Sequence, residues 1–174
     1  MKLDNWMRFT WDVTTLPPLH AALPEHYEIT SATRDDEKEL RRVILSSFTL
    51  DPAWNPSIQE VIPTVESWLD RAFEGNGSST LLALRHGLRI IGAAVVCTIE
   101  ETDNHFSPGP CVLMEYRNRG FGTALLLRSL AAVRDSGLQQ ASAIATENSP
   151  ATKFLYTKLA SVAAPYVFTP LVVA

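Results

Sequence analysis

Cysteine is scarce in this sequence, a net positive charge is missing, and no apolar run is long enough to cross a membrane. Each absence removes a class of protein. Cys97 and Cys111 are the only two cysteines among 174 residues. Both sit in apolar runs without metal-ligand spacing, so they read as reduced, buried thiols rather than a disulfide framework. His20, His26 and His86 also lack partners at metal-ligand spacing, and no metal is expected. Lys and Arg total 15 against 19 Asp and Glu, a formal charge of −4. Nucleic acid selects basic faces and is not an expected partner; a cationic or neutral small molecule suits this charge better. A spanning helix needs about 20 apolar residues, so no membrane partner is expected. Lys2 and Arg8 have no apolar stretch behind them, because Asp4, Asn5 and Asp12 interrupt it. No secretory leader is expected, and the cytoplasm is the expected compartment.

What the chain does have is ordinary soluble composition, 46% hydrophobic and 20% charged, enough for one domain with a real core. Pro17, Pro18 and Pro24 forbid a regular helix near the start. Residues 1–26 therefore read as an extended arm and 27–174 as the domain. Trp6, Phe9 and Trp11 of the arm need burial, on the domain's own surface or on a second subunit as a homodimer. Tyr27 to Ala32 reads as a strand. Thr33 and the following acids start a helix that runs to about Ser47. Asp51 to Pro56 reads as a loop. Ile58 to Phe73 keeps helical spacing, with Pro63 as its true start or a kink. Thr80 to Arg85 and Arg89 to Glu100 pair through a short turn, the second as a strand covered on both faces. Glu101 to Pro110 is a polar loop, and Cys111 to Met114 is a short strand. A helix from Thr123 to Val133, a strand from Gln140 to Thr146, a helix from Ser149 to about Leu159 and a strand from Tyr166 to Val173 complete the order. The fold class is mixed α/β with helices on both faces of the sheet.

The segment from Arg117 to Gly122 carries the chemistry. Gly120 and Gly122 let the backbone turn tightly. Successive N–H groups then converge on one anion, and the helix that follows adds unpaired N–H groups and its positive pole. Together they suit a pyrophosphate, with Arg117 and Arg119 as charge-assisted donors. Two other phosphate loops are excluded. The dinucleotide pattern needs a small third residue where Leu125 stands, and an acid where Ser142 stands. The mononucleotide loop needs a lysine, and none is near.

Val112 to Leu126 resembles the acetyl-CoA motif of the GNAT N-acetyltransferases, Val-x-Pro-x-Tyr-Arg/Gln-x-x-Gly-x-Gly/Ala followed by a Leu-rich helix. Met114 replaces the usual proline. Thr30 to Lys158 fits the superfamily's element order. The resemblance implies a mostly antiparallel central sheet, with a strand pair splayed at the cofactor site. It implies that free backbone groups of Pro110, Cys111 and Val112 pair with pantetheine. The pyrophosphate would rest on Arg117, Asn118, Arg119, Gly120, Phe121, Gly122 and Thr123. Downstream, Glu147 to Ala160 resembles Asn-x-x-Ala-x-x-x-Tyr-x-Lys-x-Gly-Phe, in which Asn148 would contact CoA and the Tyr156 hydroxyl would protonate the leaving thiolate. The Asn-to-Tyr spacing is eight here against seven in the family, about 100° of helical rotation. Tyr156 keeps the role with a shifted Asn, or Ser149 takes the Asn place, or Leu155 takes the Tyr place and no acid exists.

The implied reaction is direct transfer of acetyl from acetyl-CoA to the amine of a small molecule or peptide. An N–H of the splayed strand, that of Val112, would polarise the carbonyl. Candidates for the base are Glu100, Glu101, Asp103 and His105. Phe48, Trp54, Trp68 and Phe73 are candidates for the acceptor pocket, with Trp54 and Phe48 favoured and the other two reading as core. The competing reading is a CoA-binding sensor or interaction module without catalysis.

Overall fold

The computed structural model describes residues 5–18, 23–75 and 78–167. Two sheets form its frame. The first holds β2 (Tyr27–Ser31), β3 (Ser79–His86), β4 (Arg89–Cys97) and the short β5 (Cys111–Val112), in that spatial order and antiparallel throughout. The second has β1 (Trp6–Asp12) at its centre, between β6 (Gln140–Thr146) and β7 (Val162–Tyr166). Helix α1 (Glu37–Thr49) and α2 (Ile58–Glu74) pack on the first sheet, α3 (Phe121–Asp135) runs between β5 and β6, and α4 (Pro150–Phe154) is a single short turn of helix after β6.

Residues 6–12, expected within a loose arm, are instead the middle strand of a sheet. Period-two alternation explains why. Phe9 and Trp11 point one way and are buried, while Arg8 and Thr10 point the other way and stay partly exposed. β1 pairs antiparallel with β6 from Trp6↔Thr146 to Asp12↔Gln140. The Trp11 indole donates to the Lys158 carbonyl at 2.9 Å, so its polar edge is satisfied in the core. Each ring buried in this way contributes about 2–3 kcal/mol. Phe9 and Trp11 are thus packed inside this chain rather than against a second subunit.

α3 explains how two sheets share one body. It is buried nearly all round, which fits its apolar sequence. Phe121, Ala124 and Leu125 belong to the core under the first sheet, and Leu126, Leu130 and Val133 to the core under the second. β4 bridges the same two cores through Val95 and Val96. Gly92 permits that closeness: a β-carbon there would lie 2.9 Å from the Cys111 carbonyl oxygen and 3.4 Å from Leu125 Cδ1.

Several boundaries differ from the sequence reading. α2 begins at Ile58 with Pro63 inside it. The expected loop after α1 is a 3-10 helix, Pro52–Ser57, capped by Asp51. β4 ends at Cys97 rather than Glu100, and β5 ends at Val112, where a 3-10 turn over Met114–Tyr116 replaces the strand. α4 stops at Phe154 instead of Leu159, because Leu155 leaves helical geometry and Leu159 and Ala160 take positive φ. The last strand is Val162–Tyr166; residues beyond Val167, with Pro170, lie outside the described residues, as does His20. Cys97 and Cys111 are free thiols, the second buried and the first partly so. Among the described residues no helix is long and apolar enough to cross a membrane.

Candidate functional site

The site begins where the two sheets part. The segment 105–113 runs along β4: the Cys97 N–H donates to the His105 carbonyl, Val95 to Pro108, and Leu113 to Ile91. At its start this segment also touches β6, because the His105 N–H donates to the Ser142 carbonyl at 2.8 Å. Further on, β5 stays with β4 while β6 stays with β1, and the two separate. The expected splayed pair is therefore β5 and β6, joined at residue 105 and open at their carboxyl ends.

Register decides which groups face the opening. Bonded and non-bonded pairs alternate along an antiparallel ladder. Leu113 bonds to Ile91, so Cys111 with Ala93 is the next bonded pair, and the Val112 amide and carbonyl point away from β4. The Val112 carbonyl accepts from Arg117 Nε at 2.9 Å. Its N–H is turned away from β4 in the same way, whereas the Cys111 backbone, expected to be free, is instead paired with Ala93.

The chain leaves β5 and enters α3 through a nest. Asn118 has φ +64° and Gly120 φ +82°, left-handed values that Asn tolerates and Gly adopts freely. None of the N–H groups from Asn118 through Thr123 is paired within the described residues; the first intrahelical bond is Ala124 N–H to Gly120 O. No acidic residue stands in the first turn of α3. Six N–H groups without a backbone partner among the described residues thus lie together at the positive pole of α3, an arrangement that suits an anion.

Arg117 corrects the sequence reading. It was expected on the pyrophosphate, but all three of its guanidinium nitrogens are engaged elsewhere. Nε donates to the Val112 carbonyl, Nη1 to Asp51 Oδ2 at 2.6 Å, and Nη2 to the Ser47 carbonyl at 3.0 Å. Asp51 is 7% exposed. Arg119 is exposed, lies over the Tyr116 ring and donates to the Glu115 carbonyl at 3.2 Å. Lys158, given no role from the sequence, brings its Nζ to Thr123 Oγ1 at 3.0 Å. The signal for it was its place two residues after Tyr156. Asn148 is exposed in the turn after β6, and Ser149 beside it caps α4 by accepting from the Thr152 N–H.

Tyr156 lies beside the segment that leads into β5. It packs on Phe9, Trp11 and Phe106 with ring centroids 5.6, 5.7 and 5.8 Å away. Its hydroxyl sits over Gly109, where a β-carbon would come within 2.6 Å of it. The extra residue between Asn148 and Tyr156 is absorbed by a wide turn: the Tyr156 N–H bonds to the Ala151 carbonyl, five residues back, at 2.7 Å. The 100° rotation argument does not apply, because Tyr156 is past the end of α4. Burial, with the neighbouring Cys111 a smaller cause, pushes the Tyr156 hydroxyl well above the usual phenol value. It stays neutral and keeps a proton to donate. Burial likewise pushes the Cys111 thiol to about 11, so Cys111 is protonated at neutral pH and not a nucleophile.

The base candidates are not gathered here. Glu100 and Glu101 are exposed in the turn after β4. Asp103 accepts from the Tyr166 hydroxyl at 3.0 Å and pairs with Arg8 at 3.6 Å. His105 is buried and its Nδ1 accepts from the Ser142 N–H at 2.9 Å. That bond puts its proton on Nε2, which is buried, lies near the Ile99 backbone and has no well-formed hydrogen bond among the described residues. Desolvation, and secondarily the charge of Arg8, holds its pKa below the usual value. His105 acts as a staple at the closed end of the splay. Phe48 and Trp54 do come together, with centroids 5.3 Å apart and both half-buried, beside the Asp51–Arg117 pair. Phe73 is core and Trp68 packs against it, as expected.

A sequence profile described as the acetyltransferase (GNAT) family matches residues 38–160. No curated protein sequence matches the chain. Among solved structures, a functionally unknown conserved protein from Staphylococcus epidermidis superposes with a TM-score of 0.65 at 13% identity, covering 94% of this chain and 59% of that one. A GCN5-related N-acetyltransferase from Sphaerobacter thermophilus gives 0.65 at 15%, covering 94% and 50%. Another from Kribbella flavida gives 0.58 at 12%, covering 94% and 56%. The chain thus spans half to three-fifths of the length of these structures, and at such identities the likeness is one of fold.

Proposed function

The chain belongs to the acetyltransferase (GNAT) family, and on that premise we propose that it binds acetyl-CoA between β5 and β6 and transfers the acetyl group directly to an amine of a small molecule or peptide. One observation carries the reading: the unpaired amides from Asn118 to Thr123 lie at the mouth of a splayed strand pair. Acetyl-CoA supplies an activated thioester carbonyl. The amides of 118–123 hold its diphosphate, and the Val112 N–H donates to the carbonyl oxygen as charge develops there. Tyr156, neutral because it is buried, donates to the departing sulfur. The amine nitrogen forms a bond to the acetyl carbon, the carbon–sulfur bond breaks, the amine loses a proton to water, the sulfur takes one from Tyr156, and Tyr156 regains a proton from water. Much of the rate comes from holding the two reactants in register, up to about 7–11 kcal/mol. Phe48 and Trp54 form the acceptor wall in this reading, and the compartment is the cytoplasm.

A CoA-binding module without turnover is the second reading. It is favoured by the exposure of Glu100 and Glu101 in the turn after β4. Calorimetric titration with acetyl-CoA tests binding, and thiol release in an amine panel separates the two readings. Gly120→Asp adds a carboxylate where the diphosphate would sit. No atom lies within 4 Å of the added β-carbon, but Gly120 sits at φ +82°, where an L side chain is strained by about 1–2 kcal/mol; a thermal melt therefore accompanies the titration, and in the folded variant repulsion of about 3–4 kcal/mol lowers affinity more than about a hundredfold. Undiminished affinity in that variant would contradict the cradle.

A further inference from the structure

We propose that Asp51 and Arg117 are positioning residues that tie the Phe48–Trp54 wall to the cradle, so that filling the cradle stiffens the connection between α1 and α2. The inference rests on the reading above that CoA binds at residues 118–123.

The Asp51 carboxylate is divided between two tasks. Oδ1 accepts from the Ala53 N–H at 3.0 Å and caps the 3-10 helix, while Oδ2 accepts from Arg117. The backbone of the same residue sets both aromatics. Its N–H donates to the Phe48 carbonyl at 3.3 Å, and its carbonyl accepts from the Trp54 N–H at 3.1 Å. One residue therefore fixes the wall through its backbone and anchors it through its side chain.

Arg117 supplies the anchor. Its planar fork reaches the end of α1 at Ser47, the connection at Asp51 and the open strand at Val112. Such a fork holds three elements in one relative position, which a flexible lysine cannot do. Neither element needs it to form, since β5 is held by β4 and the connection by its own cap. A part-buried pair of this kind contributes registry more than stability. Arg117 also adjoins Asn118, the first free amide of the cradle. An anion that immobilises Asn118 to Thr123 immobilises the root of the guanidinium, and through it Asp51.

Hydrogen exchange with coenzyme A as the probe tests this. In the wild-type protein, saturating CoA slows exchange in the peptide spanning 51–58 by at least about fivefold, although no residue of that peptide belongs to the cradle. Asp51→Asn keeps an oxygen for the Ala53 cap and loses the charged partner of Arg117. It is expected to bind CoA within about fivefold of wild type and to lose the CoA-dependent slowing. Arg117→Lys, which keeps the charge and loses the fork, is expected to behave alike, and it carries the test if Asp51→Asn does not fold. A pair that only stabilised the fold would leave the CoA-dependent difference in place. CoA binding without slowing in the wild type, or slowing that persists in both variants, overturns the inference. A wild-type protein that does not bind CoA overturns the proposed function, and the inference with it.

Discussion

Replacing Gly109 with alanine tests the place of the Tyr156 hydroxyl. A β-carbon at 109 would lie 2.6 Å from that oxygen and 3.0 Å from Phe106 Cβ. Ordinary contact between such atoms is about 3.5 Å, so the hydroxyl has to retreat by roughly 1 Å. It cannot do so freely, because Phe9, Trp11 and Phe106 pack around its ring. Overpacking of this kind costs about 1–3 kcal/mol, or a fall of roughly 3–10 °C in Tm for a domain of this size. A 1 Å displacement at a reacting centre is worth about a hundredfold in rate. Gly109→Ala is therefore expected to lose both stability and kcat, with CoA affinity retained because the cradle is untouched. Tyr156→Phe supplies the control. Among the described residues the hydroxyl has no hydrogen-bond partner, so removing it changes stability by no more than about 1 kcal/mol, while kcat falls at least about tenfold if it protonates sulfur. Thermal melts and thiol release in the amine panel read both variants. An unchanged Tyr156→Phe rate beside a crippled Gly109→Ala rate would refute the acid and leave only packing.

Cys111 gives an alkaline signature. Folding raises its pKa from 9.0 to about 11, so the stability is complete below pH 9 and lost as the pH rises through about 11, to a total of about 3 kcal/mol; Cys111→Ala is expected to flatten that limb in pH-dependent denaturation. His105 acts at the acid end. Its pKa is lowered from 6.5, so its contribution is present above that pH and lost as the pH falls through the depressed value. His105→Asn keeps an acceptor for the Ser142 N–H and removes the titration, and an unaltered acid limb would sink the staple assignment. Gly92→Ala meets the Cys111 carbonyl at 2.9 Å, backbone that yields only if β5 moves; a loss of about 1–3 kcal/mol in urea denaturation is expected, with weaker CoA binding as the opening changes shape.

The parts of the fold legible in the sequence were those set by local chemistry. Gly120 and Gly122 before a Leu-rich helix announced the tight turn into α3, and the unbroken run from Ile90 to Cys97 announced a strand covered on both faces. The hidden parts depend on partners far along the chain. β1 carried a period-two signal in Phe9, Trp11 and Val13, but its partner begins at Gln140, and the prolines that follow drew the reading toward an arm. Arg117 has the chemistry of a phosphate ligand whatever it does. Only the arrival of Asp51, 66 residues earlier, turns it into a clamp.

Tyr156 shows why spacing alone left three alternatives open. Helical arithmetic assumes that the helix continues, and sequence from Lys153 to Leu159 gives no local reason for it to stop. Tertiary burial stops it. Tyr156 gains a pocket of three rings, and the Lys158 carbonyl gains the Trp11 indole N–H. Both need the chain to leave α4 after Phe154, and the five-residue turn to Ala151 is the route. The same strand that was hidden, β1, thus supplies the partner that ends α4. An error about residues 6–12 and an ambiguity about residue 156 have one cause, a contact 147 residues apart that neither segment encodes alone.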